Sequence, residues 1–173
     1  MTPLYAAITE AINEVNKVPG VQSRQVIYEQ GDAVNGLNLY IDAGQLYFGT
    51  WNASTFGPIV KTAITGNMVY HVVGVFGAST ATLYVNGLLA GTGATTFSSI
   101  AAHAGPSMVG VSNGTRFHDG AAPALGFNFI GTIDELALYN TVLAVAQVGK
   151  HYAAAGLLAG DTDIDMGDTR TVT

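Results

Sequence analysis

From Gln25 onward the apolar residues recur at every second position, and that period restricts the chain to extended structure. Leu37, Leu39 and Ile41 alternate with Asn38, Tyr40 and Asp42. After the turn Asp42-Ala43-Gly44, Leu46, Phe48 and Thr50 alternate with Tyr47, Gly49 and Trp51. Successive side chains of a strand point to opposite faces, so this pattern makes a hairpin with one buried face. Val69, His71, Val73 and Val75 alternate in the same way with Tyr70, Val72, Gly74 and Phe76. Leu83 and Val85 lead into Asn86-Gly87, and Leu88 to Thr92 return. Asn-Gly suits a two-residue turn that needs positive φ at both central positions. Shorter strands are predicted at Val26–Glu29, Met108–Ser112, Phe127–Ile133 and Glu135–Tyr139. That makes about nine strands, joined by Gly- and Asn-rich turns, without βαβ alternation. The expected class is all-β, an antiparallel sandwich or barrel.

The two ends read differently. Leu4, Ile8, Ile12 and Val15 form one helical stripe, Thr2 can cap it, Pro3 suits the first helical position, and Pro19-Gly20 stops it. A short N-terminal helix is therefore predicted within residues 1–20, lying on its own domain or packing against another chain. A second short helix is predicted from Val142 to Ala155, after the closing strand. Residues 21–155 form the β domain. Residues 156–173 read as an extended arm or a last strand.

Of 173 residues, 49% are hydrophobic and only 10% charged, enough to fill a core and leave a neutral surface. The net charge is −6 with six Lys and Arg, which argues against nucleic acid and against an anionic membrane surface. The absence of cysteine excludes thiolate metal sites, thiol nucleophiles and disulfides. No apolar run approaches the ~20 residues that span a bilayer, so no membrane insertion is expected. The N-terminus has no basic residue before Lys17 and carries Glu10 and Glu14, so it does not read as a signal peptide.

Three segments, in order, carry a resemblance: QVIYEQGDAVNGLNLYIDAGQLYFGTW (25–51), YHVVGVFGASTATLYVNGLLAGTG (70–93) and FIGTIDELALYNTVLAVAQVGKHY (129–152). Together they resemble the laminin G-like domains of the concanavalin A-like lectin/glucanase superfamily. The resemblance implies a two-sheet antiparallel jelly-roll sandwich, and a recognition or adhesion module rather than an enzyme. Such a module would bind a glycan or a surface protein through its rim loops. Two departures stand out. Val69 occupies a place where the family usually has Trp, and a predicted helix replaces the strand that usually precedes Gln25. An edge left open in that way would need the C-terminal arm or a neighbouring chain to cover it.

Catalytic signatures are missing from the sequence. A glycosidase of this superfamily needs paired carboxylates, which Glu-x-Asp-x-x-Glu spacing on a strand delivers. Here the nearest run is Asp134-Glu135, whose neighbours point apart. His71, His103, His118 and His151 lack zinc-ligand spacing, and neither a nucleophile elbow nor a phosphate loop occurs. Calcium is a possible cofactor, because hard cations collect loop oxygens and many relatives bind it. Pentraxins carry an acidic run where this chain has Val111-Ser112-Asn113-Gly114, so the candidate ligands fall instead on Asp32, Asn35 and Asp119. The tail carrying Asp161, Asp163 and Asp165 reads as a solvated acidic arm.

For a glycan, the candidates are Trp51, with Tyr40 and Tyr47, as stacking rings, and Asn113, His118 and Asp119 on long loops. The competing reading of the rings is that they pack under loops. The functional expectation is an extracellular recognition module. The alternative is a structural component of a larger assembly, such as a virion decoration, capsid or tail protein. That alternative rests on the lack of a signal peptide, the charge-poor surface and the candidate assembly helix. Its partners would be neighbouring copies or other chains.

Overall fold

The computed structural model describes residues 7–14 and 21–154. Its strands are β1 (Ala7–Glu14), β2 (Gln25–Gly31), β3 (Gly36–Asp42), β4 (Gln45–Asn52), β5 (Thr55–Phe56), β6 (Val60–Ala63), β7 (Val69–Gly77), β8 (Thr80–Val85), β9 (Leu88–Ala94), β10 (Ser107–Val109), β11 (Ser112–Thr115), β12 (Ala124–Gly126) and β13 (Ala137–Tyr139). One helix, α1 (Val145–Ala154), follows. One sheet runs in the order β13-β1-β7-β8-β9; the other runs β10-β2-β3-β4-β5, with β6 also on β4; β11 and β12 form a separate hairpin. All strand pairings are antiparallel, as the period-two segments require. Asn86 and Gly87 both have positive φ (52° and 76°), as their hairpin turn demands.

The core lies between the sheets. Leu37, Leu39, Ile41, Leu46 and Phe48 meet Val72, Phe76, Ala81 and Leu83. These are the residues that the alternation selects for one face of each strand. Gly74 lies in this layer because a Cβ there would stand 2.7 Å from Phe48 ring carbons. Gly74→Ala is expected to destabilise the fold by about 1–3 kcal/mol through overpacking. Urea unfolding would show it as a lower midpoint at unchanged slope. On the outer side of the five-stranded sheet a second cluster, Val73, Val75 and Tyr84, packs beneath Leu143 and Val148 of the α1 region.

The predicted N-terminal helix is corrected. Ala7–Glu14 is a strand, inserted between β7 and β13 with a register shift between Ile8 and Ala11. The physical reason is the ladder. Without β1, β7 would leave a row of N–H and C=O groups unpaired in mid-sheet. Helix propensities differ by less than about 1 kcal/mol per residue, too little to resist that pairing. The edge expected to be open is therefore filled by the chain's own N-terminal segment. The arm, residues 156–173, lies outside the described residues.

A second correction concerns Phe127–Ile133, which is loop rather than strand. Gly126 and Phe127 take φ of 85° and 54°, which breaks an extended run. The loop is tied down instead by Val26 N–H donating to Phe127 O, Phe129 N–H to Gly110 O and Ile130 N–H to the Gln25 side chain.

Candidate functional site

The alternation leaves Asn38, Tyr40, Asp42, Tyr47, Gly49 and Trp51 on the outer face of the six-stranded sheet. On an isolated hairpin that face would be wet. Here residues 112–127 run across it. Asn38 Nδ2 donates to Thr115 Oγ1 (2.7 Å) and to Arg116 O (2.9 Å). Glu29, opposite Asn38 in the ladder, accepts from the Asn113 N–H. Burial pushes the Glu29 carboxyl above its usual range, only partly offset by Asn113 N–H and the Thr115 hydroxyl. Val26, Tyr40, Tyr47, Phe117 and Ala124 close into a small core of their own beneath this strap.

At the end of the strap, side chains from four segments converge. The Tyr40 and Tyr47 rings stack at 4.7 Å, and the His118 ring stacks on Tyr47 at 4.4 Å. Tyr40 Oη accepts from the His118 backbone N–H (3.2 Å) and lies 2.8 Å from His118 Nδ1. Burial drives the Tyr40 phenol upward, against the His118 N–H that lowers it, so Tyr40 keeps its proton. A hydroxyl has one proton and two lone pairs, so Tyr40 Oη pairs with Nδ1 as donor or as acceptor according to the His118 tautomer. Either way the bond engages Nδ1 and leaves Nε2 as the other polar atom of the ring. The ring is half-buried, and no described residue pairs with Nε2.

Beside it stands a clamp. Gln25 pairs with Ile41, which places Arg24 next to Asp42 across the strands. Arg24 Nε and Nη2 donate to Asp42 Oδ2 (3.1 and 2.6 Å). Arg24 Nη2 and Nη1 also donate to Asp119 Oδ2 and Oδ1 (2.8 and 3.4 Å). The guanidinium lies 4.3 Å over the Phe117 ring and 5.9 Å from that of Phe127, a cation–π arrangement. Hydrogen bonding from Arg24 holds the Asp119 carboxyl below its usual range, against a smaller opposing effect of burial, and the Ala121 N–H adds to it. The Asp119 side chain is nonetheless 45% exposed. Phe127, held at positive φ, packs edge-on against Phe117 with 38% of its surface exposed. Lys61 stands 5.5 Å over the outer side of Tyr47.

The sequence-predicted residues divide. His118 and Asp119 meet at this corner. Trp51 does not join them: it is fully buried, donates from Nε1 to Asp32 O (2.6 Å) and stacks on Phe56, so it shows no ring face to a sugar. Tyr40 and Tyr47 are buried as well, and serve as the floor under His118. Asn113 is exposed on the β11–β12 hairpin, farther along the strap, and holds the hairpin down through its backbone.

The calcium candidates do not converge either. Burial alone would raise the Asp32 carboxyl, but N–H donors of Asn35, Val34 and Ala104 outweigh it and hold it low. Asn35 donates to Ala102 O and accepts from Ala53 N–H. Arg116 Nε donates to Ala33 O, which places a guanidinium beside that loop. Asp119 belongs to the Arg24 clamp. Among the described residues no group of three or more His, Asp or Glu could hold a metal ion.

Sequence spacing missed Arg24, Asp42, Phe117 and Phe127. One signal was present: Arg24 is one of only six basic residues and immediately precedes a strand that is buried along most of its length.

The comparisons with known proteins agree on the architecture. A family profile described as the concanavalin A-like lectin/glucanases superfamily matches residues 16–149. No curated protein matches the chain in sequence. Among solved structures, the carbohydrate-binding module CBM40 of a Ruminococcus gnavus sialidase superposes with a TM-score of 0.66 at 15% identity, covering 87% of this chain and 84% of that one. The same module bound to α2,3-sialyllactose gives 0.64 at 15% identity, with the same coverage. A heptameric pentraxin from Limulus polyphemus gives 0.59 at 16% identity, covering 85% and 69%.

Proposed function

Since this chain belongs to the concanavalin A-like lectin/glucanases superfamily, we propose that it is a non-catalytic recognition module that binds glycan at the His118–Asp119 corner of its six-stranded sheet. The observation that carries the reading is the pair itself. A sugar hydroxyl both donates and accepts, so it can pair with either state of a positioned imidazole nitrogen and with the exposed carboxylate beside it. The rings of His118 and Phe127 supply apolar surface next to them. The Ruminococcus module, solved with sialyllactose, supports glycan as the ligand class. The reading places the protein where glycans are displayed, outside cells. No helix among the described residues is long and apolar enough to cross a membrane.

A catalytic reading has one point in its favour that spacing did not show. Asp42 and Asp119 accept from the same nitrogen, so tertiary structure brings two carboxylates close together. Retaining glycosidases hold theirs ~5–5.5 Å apart, with the scissile bond between them and one carboxyl raised to act as acid. Here the Arg24 guanidinium fills the space between, and Asp119 is lowered rather than raised. The pair is better suited to hold Arg24 and accept from hydroxyls than to deliver a proton. The assembly alternative loses one ground, since its candidate helix includes β1, which is paired inside the sheet.

Calorimetric titration with the best glycan from an array tests the proposal. His118→Ala and Asp119→Ala are each expected to weaken binding by about tenfold or more, the scale of one hydrogen bond to a charged or positioned group. Full affinity in both variants, or slow cleavage of the glycan by the wild type, would overturn it.

A further inference from the structure

We infer that the corner selects an uncharged glycan and discriminates against sialylated or sulfated ones. The inference rests on the glycan-binding reading above and concerns the ligand's chemistry. Recognition of a carboxylate or sulfate calls for a guanidinium whose fork is free to pair bidentately. Arg24 is the guanidinium at this corner, and all three of its nitrogens already donate, to Asp42 and to Asp119. What the clamp turns outward is the acceptor, the exposed Asp119 carboxylate. It would accept from a hydroxyl and repel an anion.

Among the described residues, the other Lys and Arg side chains do not alter this. Arg116 is engaged at Ala33 O, and Lys150 lies on α1, against the other sheet. Lys61 is exposed over Tyr47, and a solvated ammonium on a flexible stem contributes little to an ion pair. The chain's net charge of −6 adds a long-range bias in the same direction.

The test is an array of matched neutral, sialylated and sulfated oligosaccharides, followed by calorimetry on the strongest matched pair, using the full chain and its Asp119→Asn variant. The neutral member is expected to bind at least tenfold tighter than its sialylated partner. Asp119→Asn removes the charge and keeps the shape, so it should shrink that gap several-fold, and added salt should shrink it too. A sialylated glycan binding as tightly as its neutral partner overturns the inference and leaves the glycan-binding reading standing. A gap that neither Asp119→Asn nor salt moves overturns it also, because selectivity would then arise elsewhere. Binding of no glycan at millimolar concentration overturns both readings.

Discussion

Trp51→Ala is expected to cost roughly 3–5 kcal/mol of unfolding free energy, the range for removing a large buried aromatic side chain. Trp51 is fully buried, and Gly36 lies so close that a Cβ on it would stand 2.5 Å from the indole. The substitution would therefore leave a cavity that rigid backbone cannot collapse into. It would also leave Asp32 O without its indole donor. The melting temperature should fall by about 10 °C or more at this chain length. Because Trp51 is the only tryptophan, unfolding has to be followed by circular dichroism. Trp51→Phe, which keeps most of the volume and loses the hydrogen bond, should cost distinctly less. A loss under about 1 kcal/mol for Trp51→Ala would contradict the full burial of this ring against Gly36 and Phe56. Glycan binding should survive Trp51→Phe, since the ring lies in the core and not at the corner.

The second large effect is acid destabilisation through His71. This residue of β7 is fully buried beneath the end of α1, with the Tyr152 ring 5.6 Å away. Burial pushes its imidazole down to about 4, and the charge of His151 adds to the shift. The sign follows from linkage. The unfolded chain takes up a proton near pH 6.5, while the native chain resists until about pH 4, so the unfolded state binds more protons in between. Stability is therefore complete above pH 6.5 and falls as the pH drops, by roughly 3 kcal/mol at pH 4. Urea unfolding of the wild type and His71→Gln at pH 7 and pH 4 isolates this contribution, because glutamine does not titrate. The wild type should lose about 3 kcal/mol more than the variant over that span. Parallel pH profiles would show that His71 is solvated in the native state. Glu29 acts in the opposite sense: its raised carboxyl weakens the fold as pH rises through its titration, so Glu29→Gln should stabilise near neutrality.

Much of the fold was legible from spacing. The strands at Gln25–Gly31, Gly36–Asp42, Gln45–Asn52 and Val69–Gly77 coincide with the period-two runs, and the Asn86-Gly87 turn and α1 lie where punctuation placed them. The N-terminal segment was misread because Ile8 and Ile12 fit a helical stripe locally, while the neighbour that makes it a strand, β7, lies some 60 residues away in sequence. The site was legible only in part. His118 and Asp119 could be picked out as polar residues on a long loop. Their partners Arg24 and Asp42 could not, since a clamp between residues 95 positions apart leaves no periodic mark.

By itself the sequence determined which side chains share a face of each strand, because alternation is a property of the extended backbone. It did not determine which faces meet water. The outer face of the β2–β3–β4 hairpins looks half polar in sequence, yet Asn38, Tyr40 and Tyr47 are buried there, because residues 112–127 fold across them. Only the tertiary structure decided that, and with it which groups remained exposed at the corner. Burial depends on what a distant segment covers, and the cost of hiding those polar groups is met only when the strap brings hydrogen-bond partners with it.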